Sequence, residues 1–188
     1  MLTLADGSII RWDAAPELAN SEAFASRVTK AGAIAAVAHS RATYEETANG
    51  YASGFSHVTH FYNGCTMYEK RGQVVTAGTV EATYLDDGVT LELIADGKHI
   101  PRGCLLLALK IKGEDKLVLI SDSCVFDGPI PDGYDGVTDL CFDFEGEIAG
   151  SKLTLEVACR NMMKHTGASI VDVFRYASTN PCNAVGLT

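Results

Sequence analysis

Two histidines and an aspartate carry the chemistry that this sequence could support. His39 follows the apolar segment AIAAVA, His60 closes HVTH, and Asp122 closes KLVLISD. The stretch between the histidines, TYEETANGYASG, reads as one helix, so a strand–helix–strand unit sets both imidazoles on one rim of a parallel sheet. Neutral imidazoles suit a divalent ion such as Zn²⁺ or Fe²⁺, and a catalytic site keeps one position open for water. Such an ion lowers the pKa of that water towards about 7. Asp122 could then take the proton and return it to a leaving group. His99, in ADGKH, lies past another strand end and could hold a substrate oxygen. Each of these residues has a plainer reading too. A histidine after an apolar run is commonly a hydrogen-bonded core residue, and a strand-end aspartate often caps the next helix. His57 reads as structural, and His165, near a helix C-terminus, as a contact to the helix dipole.

The elements that must position these residues alternate along the chain. ADGSIIRWD is a turn and a short strand ending at Asp13; NSEAFASRVTKAG is a helix with Asn20 or Ser21 as N-cap and Gly32 past its end. AIAAVA is a strand buried on both faces. The next helix has Thr43 and Glu46 in capping-box spacing and stops at Gly54. FYNGCTMYEKRGQ reads as a functional loop, and TYLDDGVTLELIAD as strand, Asp-Gly turn and strand ending at Asp96. PRGCLLLALKIKG is a helix with Pro101 in its first turn and Gly113 as its stop. After KLVLISD, a Gly-, Asp- and Pro-rich stretch from Val125 to Gly150 holds a small hairpin, DLCFDFEGEIAG. The helices TLEVACRNMMKHTG and SIVDVFRYAS and a short helical turn in TNPCNAVGLT complete the chain.

Five strands alternating with helices define an α/β arrangement. Titratable residues at successive strand ends, Asp13, His39, His60, Asp96 and Asp122, are the layout a (β/α)8 barrel uses for catalysis. A whole barrel needs at least about 200 residues, and the chain has 188. The sheet is therefore open, or part of a barrel, and its free edges and apolar interior invite self-association.

Composition narrows the partners. With 15 basic and 24 acidic side chains the net charge is −9, which argues against nucleic acid. No apolar run is long enough to span a membrane, and the N-terminus does not read as a signal peptide. The six cysteines form no CxxC pair and read as reduced residues of a cytoplasmic protein.

Taken in order, HSRATYEE, THFYNGC, ADGKHI, LVLISDS, IAGSKLTL and STNPCNAVGL resemble N-acetylglucosamine-6-phosphate deacetylase, of the amidohydrolase superfamily. The resemblance covers nearly the whole chain. It implies a partial (β/α)8 TIM barrel, roughly strands four to eight, a divalent metal, and hydrolysis of the acetamide of a phosphorylated N-acetyl amino sugar by a homodimer. By position, His39 and His60 match the metal-binding histidines, Asp122 the catalytic aspartate, and His99 the histidine set against substrate. Asn63 and Gly64 match the turn that contacts the sugar phosphate. Arg71 matches an arginine given to the partner subunit's phosphate site, and Ile148 and Ala149 fall in the loop beside the sugar. The family's third metal ligand, a glutamate in an earlier HxEGP-type segment, has no match. Glu17 is the available substitute. Gly64–Cys65 stand where the family has Ala–Met, ISDS replaces TDA, and the arginine loop is shorter. Two other readings stay open: another amidohydrolase (a deaminase or a different amino-sugar deacetylase), and a non-catalytic fragment or assembly domain.

Overall fold

The short strands β1 (Arg11–Ala14), β2 (Ile34–Val37) and β3 (Phe55–Val58) are joined by helices α1 (Ser21–Lys30) and α2 (Tyr44–Ala52). All three pair in parallel. In this computed structural model, residues 7–126, 128–137 and 139–187 are described, Arg71 by its backbone alone. The hairpin β4 (Glu69–Arg71) and β5 (Val74–Thr76) follows, then α3 (Thr79–Leu85), β6 (Thr90–Ile94), α4 (Arg102–Lys112) and β7 (Leu117–Ile120). A second hairpin, β8 (Leu140–Phe142) and β9 (Ile148–Ser151), leads to α5 (Leu155–Thr166), α6 (Ile170–Phe174), a π-helical turn (Arg175–Thr179) and α7 (Asn180–Ala184). The principal sheet has five parallel strands in the order β1-β2-β3-β6-β7.

Local chemistry explains most of these boundaries. Thr43 and Glu46 form the expected capping box at α2, each binding the other's backbone N–H. Gly113 stops α4 at φ 70°, and Gly167 stops α5 at φ 80°. Pro101 caps α4 from outside rather than entering its first turn. Asn20 is the N-cap of α1, but its side chain makes no capping bond.

Two expectations need correction. Thr83–Leu85 ends helix α3 rather than forming a strand before the Asp-Gly turn. Tertiary packing overrides the β-propensity of Thr-Tyr-Leu here, because Tyr84 is buried edge-on against Phe61, their ring centroids 5.2 Å apart. The supposed loop after Asn63 contains the β4–β5 hairpin, of which Glu69, Lys70 and residues 72–76 are exposed.

The apolar core lies between the sheet and its helices. Ala35, Val37, Phe55, Val58, Leu91, Leu93, Leu117 and Leu119 meet Val28, Tyr51, Leu105, Ala108, Ala158 and Met162. Side chains alternate along a strand, so the other sheet face carries a different set. Arg11, Ile34, His57, Glu92, Val118 and Ile120 line a cavity of about 310 Å³ there, together with Pro181, Ala184 and Val185. Among the described residues, no helix is long and apolar enough to cross a membrane.

Candidate active site at the strand exits

Strands β2, β3, β6 and β7 end at Val37, Val58, Ile94 and Ile120. Each is followed, two residues on, by a titratable side chain: His39, His60, Asp96 and Asp122. These residues therefore sit just beyond the sheet, in the turns that leave it. His39, His60 and Asp122 share a further property. Their φ angles are 48°, 32° and 49°, a left-handed conformation that costs a non-glycine residue roughly 1 kcal/mol or more. The same backbone device aims all three.

The two histidines are brought into contact. Their Nε2 atoms lie 2.9 Å apart, with ring centroids 4.6 Å apart and planes at 74°. His60 is buried, and its Nδ1 has no partner; His39 is exposed. Asn63 braces this turn: its backbone N–H donates to the His60 carbonyl at 2.9 Å, and its side-chain amide donates there at 3.2 Å. Gly64 packs against His39. A Cβ at this position would lie 3.3 Å from the His39 Cα, and its φ of +60° also suits glycine. The glycine that stands where the family has alanine thus has a local reason.

Beyond β6, the buried Asp96 accepts the backbone N–H groups of Lys98 and His99 at 2.8 Å and holds His99 Nδ1 at 2.5 Å. Burial pushes the Asp96 carboxyl up, but the His99 imidazole and the two backbone donors outweigh it and hold it below its ordinary value. His99 is therefore held in place by Asp96 just beyond β6. The half-buried Asp122 accepts the Ser151 N–H through its backbone carbonyl at 2.8 Å. That bond and a bridge between Ser123 and Ser151 bring β9, with Ile148 and Ala149, beside the Asp122 turn.

Glu17 is engaged in hydrogen bonds. Its Oε2 accepts from Ser40 Oγ at 2.9 Å and its Oε1 from the Arg41 N–H at 2.6 Å. It ties the exit of β1 to the turn that follows His39. Arg71 closes β4, and its side chain lies outside the described residues. Among the described residues, no three His, Cys, Asp or Glu side chains are grouped to hold a metal ion. The two imidazoles fit as two ligands of a tetrahedral ion, since they converge edge to edge, but the third ligand is not in this set.

One network had not been anticipated. Arg11 reaches across the cavity-lining face of the sheet to Glu92, donating through Nη1 and, at 3.3 Å, through Nη2. The same guanidinium donates to Thr59 Oγ1, and its Nε donates to Asp13 at 3.1 Å; Thr59 in turn donates to Asp13 at 3.1 Å. Thr59 immediately precedes His60, and the N–H of Phe61, just after it, donates to the Glu92 carbonyl at 2.7 Å. The side-chain network therefore ends on Thr59, one residue before His60, while the Phe61 bond continues the backbone pairing of β3 with β6. Its one sequence signal is Glu92 itself, the lone charge in the apolar strand TLELI.

No family model matches the chain. It is 31% identical over 181 residues to the N-acetylglucosamine-6-phosphate deacetylase of Lysinibacillus sphaericus, covering 93% of this chain and 46% of that protein. Over 139 residues it is 32% identical to the "Putative N-acetylgalactosamine-6-phosphate deacetylase" of Escherichia coli K12, covering 68% of this chain and 78% of the relative. It superposes with a TM-score of 0.84 on a mutant N-acetyl-D-glucosamine-6-phosphate deacetylase from Mycobacterium smegmatis, solved in complex with N-acetyl-D-glucosamine-6-phosphate. That match, at 28% identity, covers 99% of this chain and 51% of the other. The chain thus spans about half the length of most relatives it matches. With the ordered motifs, the parallel sheet and the shared fold agreeing, the chain belongs to the N-acetylglucosamine-6-phosphate deacetylase family.

Proposed function

We propose that this chain is the C-terminal part of a metal-dependent N-acetylhexosamine-6-phosphate deacetylase, supplying roughly strands four to eight of a (β/α)8 barrel. The contact between His39 and His60 Nε2 atoms at the strand exits carries this reading. These two residues would hold a divalent ion, Zn²⁺ or Fe²⁺, with a further carboxylate supplied from outside the described residues. Bound there, the ion would polarise the acetamide carbonyl and acidify a water molecule.

The chain's own residues supply the remaining steps. Asp122 takes a proton from the attacking water and delivers it to the amine nitrogen as the C–N bond breaks, leaving acetate and an amino-sugar phosphate. His99, fixed through Nδ1 by Asp96, holds a substrate oxygen. Asn63 and Gly64 form the turn that contacts the sugar phosphate, and Ile148 and Ala149 lie beside the sugar ring. Arg71 reaches the phosphate of the partner subunit in a homodimer. The unpaired state of all six cysteines agrees with a cytoplasmic setting.

The test is turnover of N-acetylglucosamine 6-phosphate by the full-length form. Asp122→Asn removes most activity while bound metal stays unchanged, and near-normal turnover in that variant refutes the assignment of Asp122. Parallel assays with the galactosamine analogue and with unphosphorylated N-acetylglucosamine separate this reading from other amidohydrolases. A second reading is favoured by the missing third ligand: the isolated chain is an assembly domain that holds no ion tightly. Metal analysis of the purified chain decides, one tightly bound ion per chain against none.

A further inference from the structure

Thr66 lies on the loop that leaves His60, three residues past Asn63, and both its backbone and its hydroxyl are bound elsewhere. Its N–H donates to the Ser40 carbonyl at 3.2 Å, and its Oγ1 donates to the Ala42 carbonyl at 2.5 Å. Both bonds end on the turn that leaves His39. On the opposite side, Thr66 Oγ1 accepts the Thr79 N–H at 3.0 Å, and the Thr66 carbonyl accepts the Val80 N–H at 3.0 Å. The loop is therefore clamped between the His39 turn and the first turn of α3. The fully buried Thr79 hydroxyl closes the clamp, 3.2 Å from Thr66 Oγ1 and 3.4 Å from Ser40 Oγ. Gly78 makes this approach possible. A Cβ there would lie 2.5 Å from Thr66 Oγ1 and 2.6 Å from Thr66 Cβ. Its φ of −136° is outside the left-handed region, so space and not backbone strain calls for glycine.

We propose that Thr66 is a positioning residue for the two-histidine centre, holding the loop after His60 against the turn after His39. Two links lead from the clamp to the imidazoles. Gly64, two residues before Thr66, packs against the His39 Cα, so the anchor at Thr66 sets how closely that contact closes. Asn63 passes the same restraint to His60 through its bonds to the His60 carbonyl. Both histidines sit at positive φ, a conformation that persists only where surrounding bonds hold it. Without the Thr66 hydroxyl, the Ala42 carbonyl and the Thr79 N–H lose a shared partner, and the loop relaxes away from the His39 turn. The Nε2 atoms, 2.9 Å apart, then separate. A divalent cation held by the pair loses affinity, because its ligands are no longer held in register before it binds. The cation part of this inference rests on the reading of His39 and His60 as metal ligands; the spacing of the two rings does not.

The experiment compares the whole chain with its Thr66→Val, Thr66→Ser and Gly78→Ala variants. In the metal-free protein, proton NMR reads the nuclear Overhauser effect between the His39 and His60 rings, whose centroids lie 4.6 Å apart. Thr66→Val and Gly78→Ala lose most of this signal, and Thr66→Ser, which keeps the hydroxyl, retains it. Titration with Co²⁺, followed by visible absorption, shows binding about tenfold weaker in Thr66→Val than in the unmutated chain. Val28→Ala, in the buried face of α1, controls for lost stability and keeps both readouts. Should Thr66→Val fail to fold, Gly78→Ala decides. The proposal is overturned if the ring signal is missing from the unmutated chain, if it survives in Thr66→Val or Gly78→Ala, or if Thr66→Ser or Val28→Ala loses it equally. It is overturned too if Thr66→Val binds Co²⁺ as tightly as the unmutated chain does. A chain that shows the ring signal but takes up no Co²⁺ counts against the metal reading, and the ring signal of the variants then decides the role of Thr66.

Discussion

The two faces of the five-stranded sheet are built on opposite principles. Towards the helices, Leu91, Leu93, Leu117 and Leu119 pack into an apolar layer with almost no exposure. Towards the cavity, β1, β3 and β6 present Arg11, His57 and Glu92, joined in part by an ion pair and in part left unpartnered. The first face stabilises by removing apolar area from water and tolerates any well-packed shape. The second contributes little net stability, because desolvating charges offsets their attraction. What it contributes is position: its hydrogen bonds end on Thr59, the residue before His60.

That contrast can be broken from either side, beginning with the apolar layer. Leu93→Ala should destabilise the chain by about 2–5 kcal/mol, read from urea denaturation, because the fully buried side chain leaves a cavity. An effect under about 1 kcal/mol would mean that this layer is loosely packed. On the polar face, Glu92→Ala should cost about 1–3 kcal/mol, because Arg11 then keeps only the exposed Asp13 as a carboxylate partner. Replacing both, Arg11→Met with Glu92→Met, should recover most of that loss. A double variant no better than the single one would show that the pair stabilises rather than positions.

A pH series sharpens the same point. Burial holds the His57 imidazole down at about 4, with the nearby Arg11 charge adding to the effect. The unfolded chain takes up this proton below about pH 6.5, and the folded one resists until about 4, so stability falls as the pH drops through that window. The loss is up to about 3 kcal/mol. His57→Leu should flatten this part of the stability–pH curve; an unchanged slope would assign the acid loss elsewhere. The smallest effect belongs to the rim. His39→Gly and Asp122→Gly should each raise stability by at most about 1 kcal/mol, since glycine takes positive φ without strain. A net loss on thermal melting would mean that the turns are not strained.

Much of the outline was legible because it is written locally. The capping box of α2 and the glycines past α1 and α4 mark helix ends within a few residues of sequence. The strand–helix–strand unit then brings His39 and His60 to one rim without further information. Thr83–Leu85 misled because its β-branched and aromatic residues answer to Phe61, a distant neighbour. Glu17 looked like a spare ligand, yet its partners are the hydroxyl and amide of Ser40 and Arg41, more than twenty residues on. The Arg11–Glu92 pair joins residues 81 apart. No periodicity reports such a contact, although a lone carboxylate inside an apolar strand announces that some partner must exist.

The repeated left-handed turn at His39, His60 and Asp122 has one more implication. Because backbone geometry, and not the side chain, fixes the direction of each exit, the rim behaves as a row of identical sockets. A different side chain placed in one socket inherits its aim without any rebuilding of the loop. Chemistry at this edge can therefore be exchanged one residue at a time while the scaffold beneath it stays the same.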